Sequence, residues 1–465
     1  MSFLEDRKAL TREKRLSALS HFHGTLEGLI DETSGTEIKQ RVRTYSQIHV
    51  DETIYAFDVL SKIEDAAIIV NGAIGCGNIG LTQIDEAFGW YSTNLVERDT
   101  ILGGEDKLRE AVIRAYEEQH PKAVFIIGTP VVAINNDDVN SIILELEDEI
   151  GIPIISIYTD GFKSKTPVTG YDIVTHSLLK YLIDKNPEET EPFINVISFS
   201  ESIEDIAAIV KSLKALDIKY QVLPRFSSID EIKAASKAKA TVVLNPEEGG
   251  YLARELEEVY DVPYIVTEAP VGFRGTKAFL LKLAAYLKVE DKASKYVDEV
   301  EAELTRSISK HLLDGKKIFI DASLSRIPAY ARLFTNLGGE VVGFGAPFVD
   351  LENRNQLSKL RFLSKGITAV IGNGQYFEKA NAIAKGEVDI YVSEFQGSSF
   401  ASDEGATVVS TRNKSIYGFD GVYVLYDSFV KAIRLSGKLQ GADKGNYKIS
   451  WKNKSGNWYV KQEVS

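Results

Sequence analysis

Residues 66–80 read AAIIVNGAIGCGNIG. The run AAIIV (66–70) is short, continuously apolar and partly β-branched, and it gives way abruptly to Asn71-Gly72. A run of this kind predicts a strand buried on both faces, which belongs to a parallel sheet covered by helices on each side. The turn that follows fits G-x-G-x-x-G at Gly75, Gly77 and Gly80, with Glu97 or Asp99 about twenty residues on. In a dinucleotide-binding turn such glycines let the backbone approach a pyrophosphate at a helix N-terminus. A plain structural turn fits the same residues, because Gly-rich turns end many strands of α/β proteins.

The same alternation continues outward from this stretch. Strand-like runs recur at AVFII (123–127), PIISI (153–157), INVISF (194–199), IKYQVL (218–223), ATVVL (240–244) and PYIV (263–266). They resume at KIFID (317–321), EVVGF (340–344), TAVI (368–371), VDIYV (388–392) and TVVS (407–410). Helical patterns lie between, among them 103–119, 202–216 and 251–260. With 465 residues the chain exceeds what one core supports. The expected fold is therefore α/β, with three domains that each hold a parallel β-sheet flanked by helices, joined by right-handed crossovers. Polar DKNPEETEP (184–192) separates the first from the second, and the charged helix at 289–313 leads into the third. The domains fall at 45–187, 188–313 and 314–436. A helical extension over 1–44 precedes them, and a β-like tail over 437–465, read as a hairpin, follows.

A net charge of −13 argues against a nucleic-acid partner, which needs a concentrated basic face. No apolar run approaches the roughly 18 residues of a membrane span, and the N-terminus lacks the apolar core of a signal peptide, so a cytoplasmic protein is expected. Cys76 is the one cysteine. It excludes an intrachain disulfide and any cysteine-ligated metal centre completed by this chain alone. As a residue it reads as a small buried hydrophobe, a catalytic thiol without a nearby histidine, or a ligand completed by other groups. Its place on a loop at a strand end favours function over packing. Asp137 and Asp138 read as helix-capping acids, and TDGF (159–162) and GFDG (418–421) as turns. GFRGTK (272–277) puts Arg274 and Lys277 beside glycines, as an anion site or a solvated loop.

Taken in order, GAIGCGNIG, STNLVERDTILGGEDKLREAV (92–112), HPKAVFIIGTPVVAINNDDV (120–139) and IPIISIYTDGFKSKTPVTGYD (152–172) resemble the nitrogenase component-one superfamily. YLARELEEVYDVPYI (251–265) and YGFDGVYVLYD (417–427) continue the resemblance, which covers roughly residues 45–435. That superfamily includes the molybdenum–iron protein subunits, their cofactor-assembly scaffolds, and the dark-operative protochlorophyllide and chlorophyllide reductases. The resemblance implies a three-domain subunit of a nitrogenase-like, ATP-dependent reductase. It implies pairing with a related component-one subunit, a hetero-oligomer being favoured over a homodimer. It also implies electrons from an iron-protein reductase, which uses the ATP, and a four-iron iron–sulfur cluster at the subunit interface.

On that resemblance Cys76 is the metal ligand, the single group that one subunit gives a cluster whose three other thiolates come from its partner. The sequence departs from the catalytic subunits elsewhere. The other two cluster cysteines of those subunits are absent: one would fall near His49–Asp51, and Thr129 stands in place of the other. Asn245 stands where the cofactor's cysteine anchor belongs, Tyr171 and Asp172 replace paired histidines, and TRNKSIYGFDG lacks the histidine anchor. Thr129, Tyr171, Asp172, Asn245, Arg274 and Tyr417 are the candidate cofactor- or substrate-binding positions. The substrate stays open among tetrapyrrole-like, organosulfur and cluster-precursor molecules. A non-catalytic scaffold or regulatory subunit is the alternative, and a dinucleotide-dependent oxidoreductase using Gly75–Gly80 is a second.

Overall fold

The structure, a computed structural model, describes residues 17–38, 52–73, 75–76, 90–135, 138–159, 166, 168–185, 187, 189–395 and 397–439, with the backbone alone over 435–439. The chain enters with strand β1 (Phe22–Thr25) and helix α1 (Leu26–Glu32), where the Thr25 hydroxyl accepts the Gly28 N–H at 3.2 Å as a cap. The first domain then runs α2 (Glu52–Leu60), β2 (Ala66–Asn71), β3 (Trp90–Ser92), α3 (Glu97–Leu102) and α4 (Glu105–Gln119). It closes with β4 (Ala123–Gly128), α5 (Pro130–Asn135), α6 (Val139–Ile150), β5 (Ile154–Tyr158) and α7 (Thr169–Tyr181). Its sheet is wholly parallel, in the order β3-β2-β4-β5. Every residue of β2 is buried, as the unbroken apolar run predicts for a strand covered on both faces.

The second domain is β6 (Phe193–Ser198), α8 (Ile203–Ala215), β7 (Lys219–Pro224), α9 (Ile229–Lys233), β8 (Ala240–Val243) and α10 (Pro246–Tyr260). Its sheet is parallel, in the order β7-β6-β8. Gly249 lets α10 lie directly on this sheet, since a Cβ there would come within 2.6 Å of Ile197 and 2.8 Å of Val243. Helices α11 (Gly272–Leu287) and α12 (Glu290–Ser307) lead onward. The third domain has β9 (Lys317–Asp321), α13 (Ile327–Asn336), β10 (Glu340–Ala346), α14 (Asn355–Ser358), β11 (Thr368–Ile371) and α15 (Tyr376–Gly386). It ends with β12 (Ile390–Ser393), α16 (Ser399–Asp403), β13 (Thr407–Ser410) and α17 (Asp420–Leu439).

The third sheet orders as β1-β11-β10-β9-β12-β13. All its pairings are parallel except β1 with β11. This differs from the expected helical lead-in: the described part of 1–44 supplies an edge strand to the third sheet, with Phe22 opposite Ile371. Four residues are too few for a periodic pattern to show, so the pairing is set by the sheet edge that receives them. PYIV does not form a strand either; it makes one parallel bridge, Tyr264 with Thr241. The tail beyond Leu439 lies outside the described residues.

Two hydrophobic cores hold the domains together. One joins the first sheet to the second, through residues such as Phe57, Val70, Tyr171, Ile197 and Leu252. The other joins the second to the third, through Val196, Ile209, Phe279, Ile320 and Tyr417. No helix among the described residues is long and apolar enough to cross a membrane.

Candidate functional site

Parallel α/β sheets place their working loops beyond the carboxyl ends of the strands. Here those loops converge. The segments after β6, β7, β8, β9, β12 and β13, with faces of α2 and α7, enclose a cavity of about 470 Å³ between the three domains. Its lining is polar: Asp58, Asp205, Glu248 and Glu394 face Lys62, Arg225, Arg326, Arg412 and Lys414, among tyrosines and serines.

Arg326, in the loop that starts α13, organises one wall. Its Nε donates to the Tyr417 hydroxyl at 2.7 Å and its Nη1 to Glu394 at 3.3 Å. Its Nη2 donates to Glu201 at 3.0 Å and to the Ser200 hydroxyl at 3.2 Å. Burial opposes the guanidinium charge, but Tyr417, Glu394 and Glu201 outweigh it and hold the pKa well above the usual arginine value. Glu201 is completed by the Tyr417 and Ser198 hydroxyls and the Phe199 N–H, at 3.0, 2.8 and 3.1 Å. Glu394 accepts from the Tyr330 hydroxyl at 3.2 Å and from the Ser323 N–H at 3.0 Å. Charge-assisted bonds of this kind carry a buried ion pair only when the spare lone pairs are also satisfied.

The opposite wall is built on Asp58 of α2. It accepts from Arg225 Nη1 at 3.1 Å and from the Tyr171 hydroxyl at 3.4 Å. Burial, then the nearby Asp58 charge, raises the Tyr171 pKa far above that of a free phenol, so it stays a neutral donor. Asp205 joins α8 to the loop before α17: it boxes the cap with Ser202 and accepts the Ile416 and Tyr417 N–H groups at 2.7 and 3.1 Å. Burial raises its pKa against those bonds.

The sequence profile of nitrogenase component 1 type oxidoreductases matches residues 54–434, most of the chain. The chain belongs to this family. A cofactor-biosynthesis protein, the nitrogenase iron-molybdenum cofactor biosynthesis protein NifE of Clostridium pasteurianum, is 29% identical over 393 residues, 81% of this component 1 chain and 85% of the relative. The nitrogenase molybdenum-iron protein alpha chain of Methanosarcina barkeri is 26% identical over 347 residues, 70% of this chain and 64% of the relative. The solved structure "Nitrogenase Cp1 at pH 6.5" superposes with a TM-score of 0.75 at 18% identity, covering 87% of this chain and 97% of that one. The three-domain α/β architecture is thus that of the family.

Within the component 1 chain, two of the six sequence-derived cavity positions, Tyr171 and Tyr417, line the cavity. Asn245 lies outside the lining and ties the second domain to the third: its Oδ1 accepts the Ser325 hydroxyl at 2.5 Å and the Glu247 N–H at 3.3 Å. Thr129 is fully buried at the end of β4, donates to the Asn71 carbonyl at 2.9 Å, and packs on Gly72. Asp172 is buried in α7 away from the lining, and Arg274 is exposed on the first turn of α11. Cys76 is half-buried on the turn after β2, its N–H donating to the Ala73 carbonyl at 2.9 Å. Gly75 is exposed, while Gly77, Gly80, His49–Asp51 and Asp137 lie outside the described residues. Asp99 caps α3 through the Val96 N–H at 2.8 Å and pairs with Lys107 at 2.5 Å, so its carboxylate is engaged. Asp138 caps α6 as expected, and Lys277 pairs with Glu301 at 3.0 Å.

A directly ligated metal cofactor does not fit the cavity. Its lining holds neither cysteine nor histidine, and among the described residues no three His, Cys, Asp or Glu side chains converge as a metal site. Cys76 alone offers a soft donor, and it fits one corner of a centre completed elsewhere. Sequence reasoning missed Arg225, Arg326, Glu201, Glu248 and Glu394. All five line the cavity or its Arg326 wall from positions within five residues of a strand's carboxyl end, the one local signal that marks them.

Proposed function

We propose that this chain is a subunit of a nitrogenase-like, ATP-dependent reductase complex. It pairs with a related component 1 subunit and takes electrons from an iron-protein partner that uses the ATP. Cys76 is its one ligand to a four-iron cluster shared across that interface; when bound, the cluster supplies one-electron transfer. The observation that carries this is the setting of Cys76. The β2 turn that bears it is bridged at Ala73 to Leu95, and just beyond Leu95 lie exposed Val96, Ile101 and Leu102. Ile134 of α5 is exposed on the same domain, with Asn135 bonded to the Thr100 carbonyl at 3.5 Å. Such large apolar side chains in solvent suit a partner surface.

The cavity, in this reading, takes a small polar molecule with ionisable groups, gripped by side chains rather than by metal–thiolate bonds. Cys76→Ser in the co-expressed complex tests the assignment. Iron content and visible absorption fall sharply while the unfolding temperature holds, because the swap is nearly isosteric. Full iron with full activity in that variant overturns the cluster role.

One observation favours a second reading, a scaffold or regulatory subunit without chemistry: the likeness to NifE, a cofactor biosynthesis protein, together with a cavity lacking thiol and imidazole. Iron that is acquired and then passed to another protein, without turnover, distinguishes it. Asp99 is already engaged by Lys107 and the Val96 N–H, so the dinucleotide reading rests on Glu97 alone for its acidic residue.

A further inference from the structure

Glu248 occupies the first turn of α10 and lines the three-domain cavity. Its Oε1 accepts the Ser200 hydroxyl at 2.9 Å, and that hydroxyl in turn accepts from Arg326. Its Oε2 is shut off from solvent and finds no partner among the described residues. The same holds for two other lining groups, Arg225 Nε and the hydroxyl of Ser323, a residue only 8% exposed. Buried polar atoms are ordinarily bonded, so three unmatched ones on a single cavity mark where a bound molecule completes the set.

The charges around Glu248 decide which form it takes. Arg326 already faces Glu201 and Glu394 directly. Glu247 lies beside Glu248 on its own helix, and Tyr55, Tyr171 and Tyr417 face it as neutral phenols. Arg225, the other guanidinium of the wall, is bonded to Asp58, so neither guanidinium is left to balance Glu248, and like charges in a buried site hold a proton between them. Burial, then Glu201, pushes the Glu248 pKa up to about 8.

We propose that Glu248 is a proton-bearing acid that donates from Oε2 to a hydrogen-bond-accepting atom, a carbonyl oxygen or an imine-type nitrogen, of the molecule held in the cavity. This rests on the reading of the cavity as the ligand site and names the chemistry its ligand presents. A fully cationic or purely hydrocarbon ligand leaves the acid unmatched and is disfavoured.

Diisopropylcarbodiimide tests it on the purified full-length protein. The reagent carries imine-type nitrogens. The Glu248 O–H bond breaks, its proton goes to one nitrogen, and the carboxylate oxygen bonds the central carbon. The adduct rearranges to a stable acylurea that retains every atom of the reagent. We expect Glu248 to carry that mass at pH 7, with labelling falling roughly tenfold per pH unit above about 8. Infrared spectra should show a protonated-carboxyl band at pH 7 that is lost at high pH and missing from Glu248→Gln. Glu248→Gln preserves the neutral shape, so its unfolding temperature at pH 7 stays close to the parent's. An absent band, a band that survives in Glu248→Gln, or a band without labelling overturns the proposal. None of these readouts depends on iron or partner, so failure of the Cys76 assignment and failure of this one are separately visible.

Discussion

Arg326 Nη2 lies 3.0 Å from Glu201 Oε1, and the Glu201 side chain is completely buried. The pair joins the third domain to the second at the wall of the cavity. Removing one member of a buried pair costs about 3–5 kcal/mol, because the other charge is stranded. Arg326→Met is therefore expected to lower the unfolding temperature markedly. The double variant Arg326→Met/Glu201→Gln should recover part of that loss. A double-mutant cycle by thermal or urea unfolding measures the coupling. Strict additivity sinks the idea that the two residues act as a unit.

Glu248 gives the protein a pH dependence of definite sign. Its pKa rises from the ordinary 4.5 to about 8 on folding. Below about 4.5 both states hold the proton, and this group adds no slope. Between the two values the folded state keeps a proton that the unfolded state has released, so stability falls as pH rises and its contribution is gone above about 8. Unfolding temperatures from pH 5 to 9 should show this decline, and Glu248→Gln should flatten it. Parallel curves for the two proteins contradict the assignment.

The first domain's turn is packed to its limit. A Cβ on Gly72 would sit 2.2 Å from the Thr129 hydroxyl and 2.9 Å from its Cβ. Gly72→Ala is expected to destabilise by about 1–3 kcal/mol through overpacking. Gly72→Ala/Thr129→Ser should relieve little of it, because serine keeps both the hydroxyl and the Cβ and removes only the methyl contact. A Gly72→Ala protein as stable as its parent refutes the packing argument. Through this contact Thr129 supports the turn that carries Cys76.

These residues also show what the sequence reveals and what it hides. AAIIV, AVFII and INVISF read as strands because burial on both faces leaves an unbroken apolar run. That signal placed the first two sheets, and the runs KIFID, TAVI and VDIYV placed the third. WYS and FHGT escaped it: β3 and β1 are three- and four-residue strands whose pairing depends on a receiving sheet edge. In the site, Tyr171 and Tyr417 emerged from family motifs and do line the cavity. The charged wall did not emerge, because Arg326 meets Glu201 across 125 residues of chain and Glu394 across 68. No local pattern encodes such a pairing. Only the convergence of strand ends creates it.

The exposed apolar side chains near Cys76 yield the last prediction. Ile101 and Leu102 end α3 with 81% and 71% of their surface in solvent. Neither belongs to the first domain's core, so a charge there should alter the isolated chain's stability by no more than about 0.5 kcal/mol. Charged residues are depleted at the centre of protein interfaces, where desolvation goes uncompensated. Ile101→Asp/Leu102→Asp is therefore expected to leave the unfolding temperature of the single chain in place. Co-purification with the proposed partner subunit or the proposed iron protein should weaken at least tenfold. Gel filtration of the co-expressed proteins and titration of the iron protein against the assembled complex show which contact fails. If the subunit pair separates, iron bound through Cys76 should fall with it. If the pair survives and only the iron protein dissociates, iron stays and turnover stops. Retention of both contacts at parental strength removes this surface from the account of assembly.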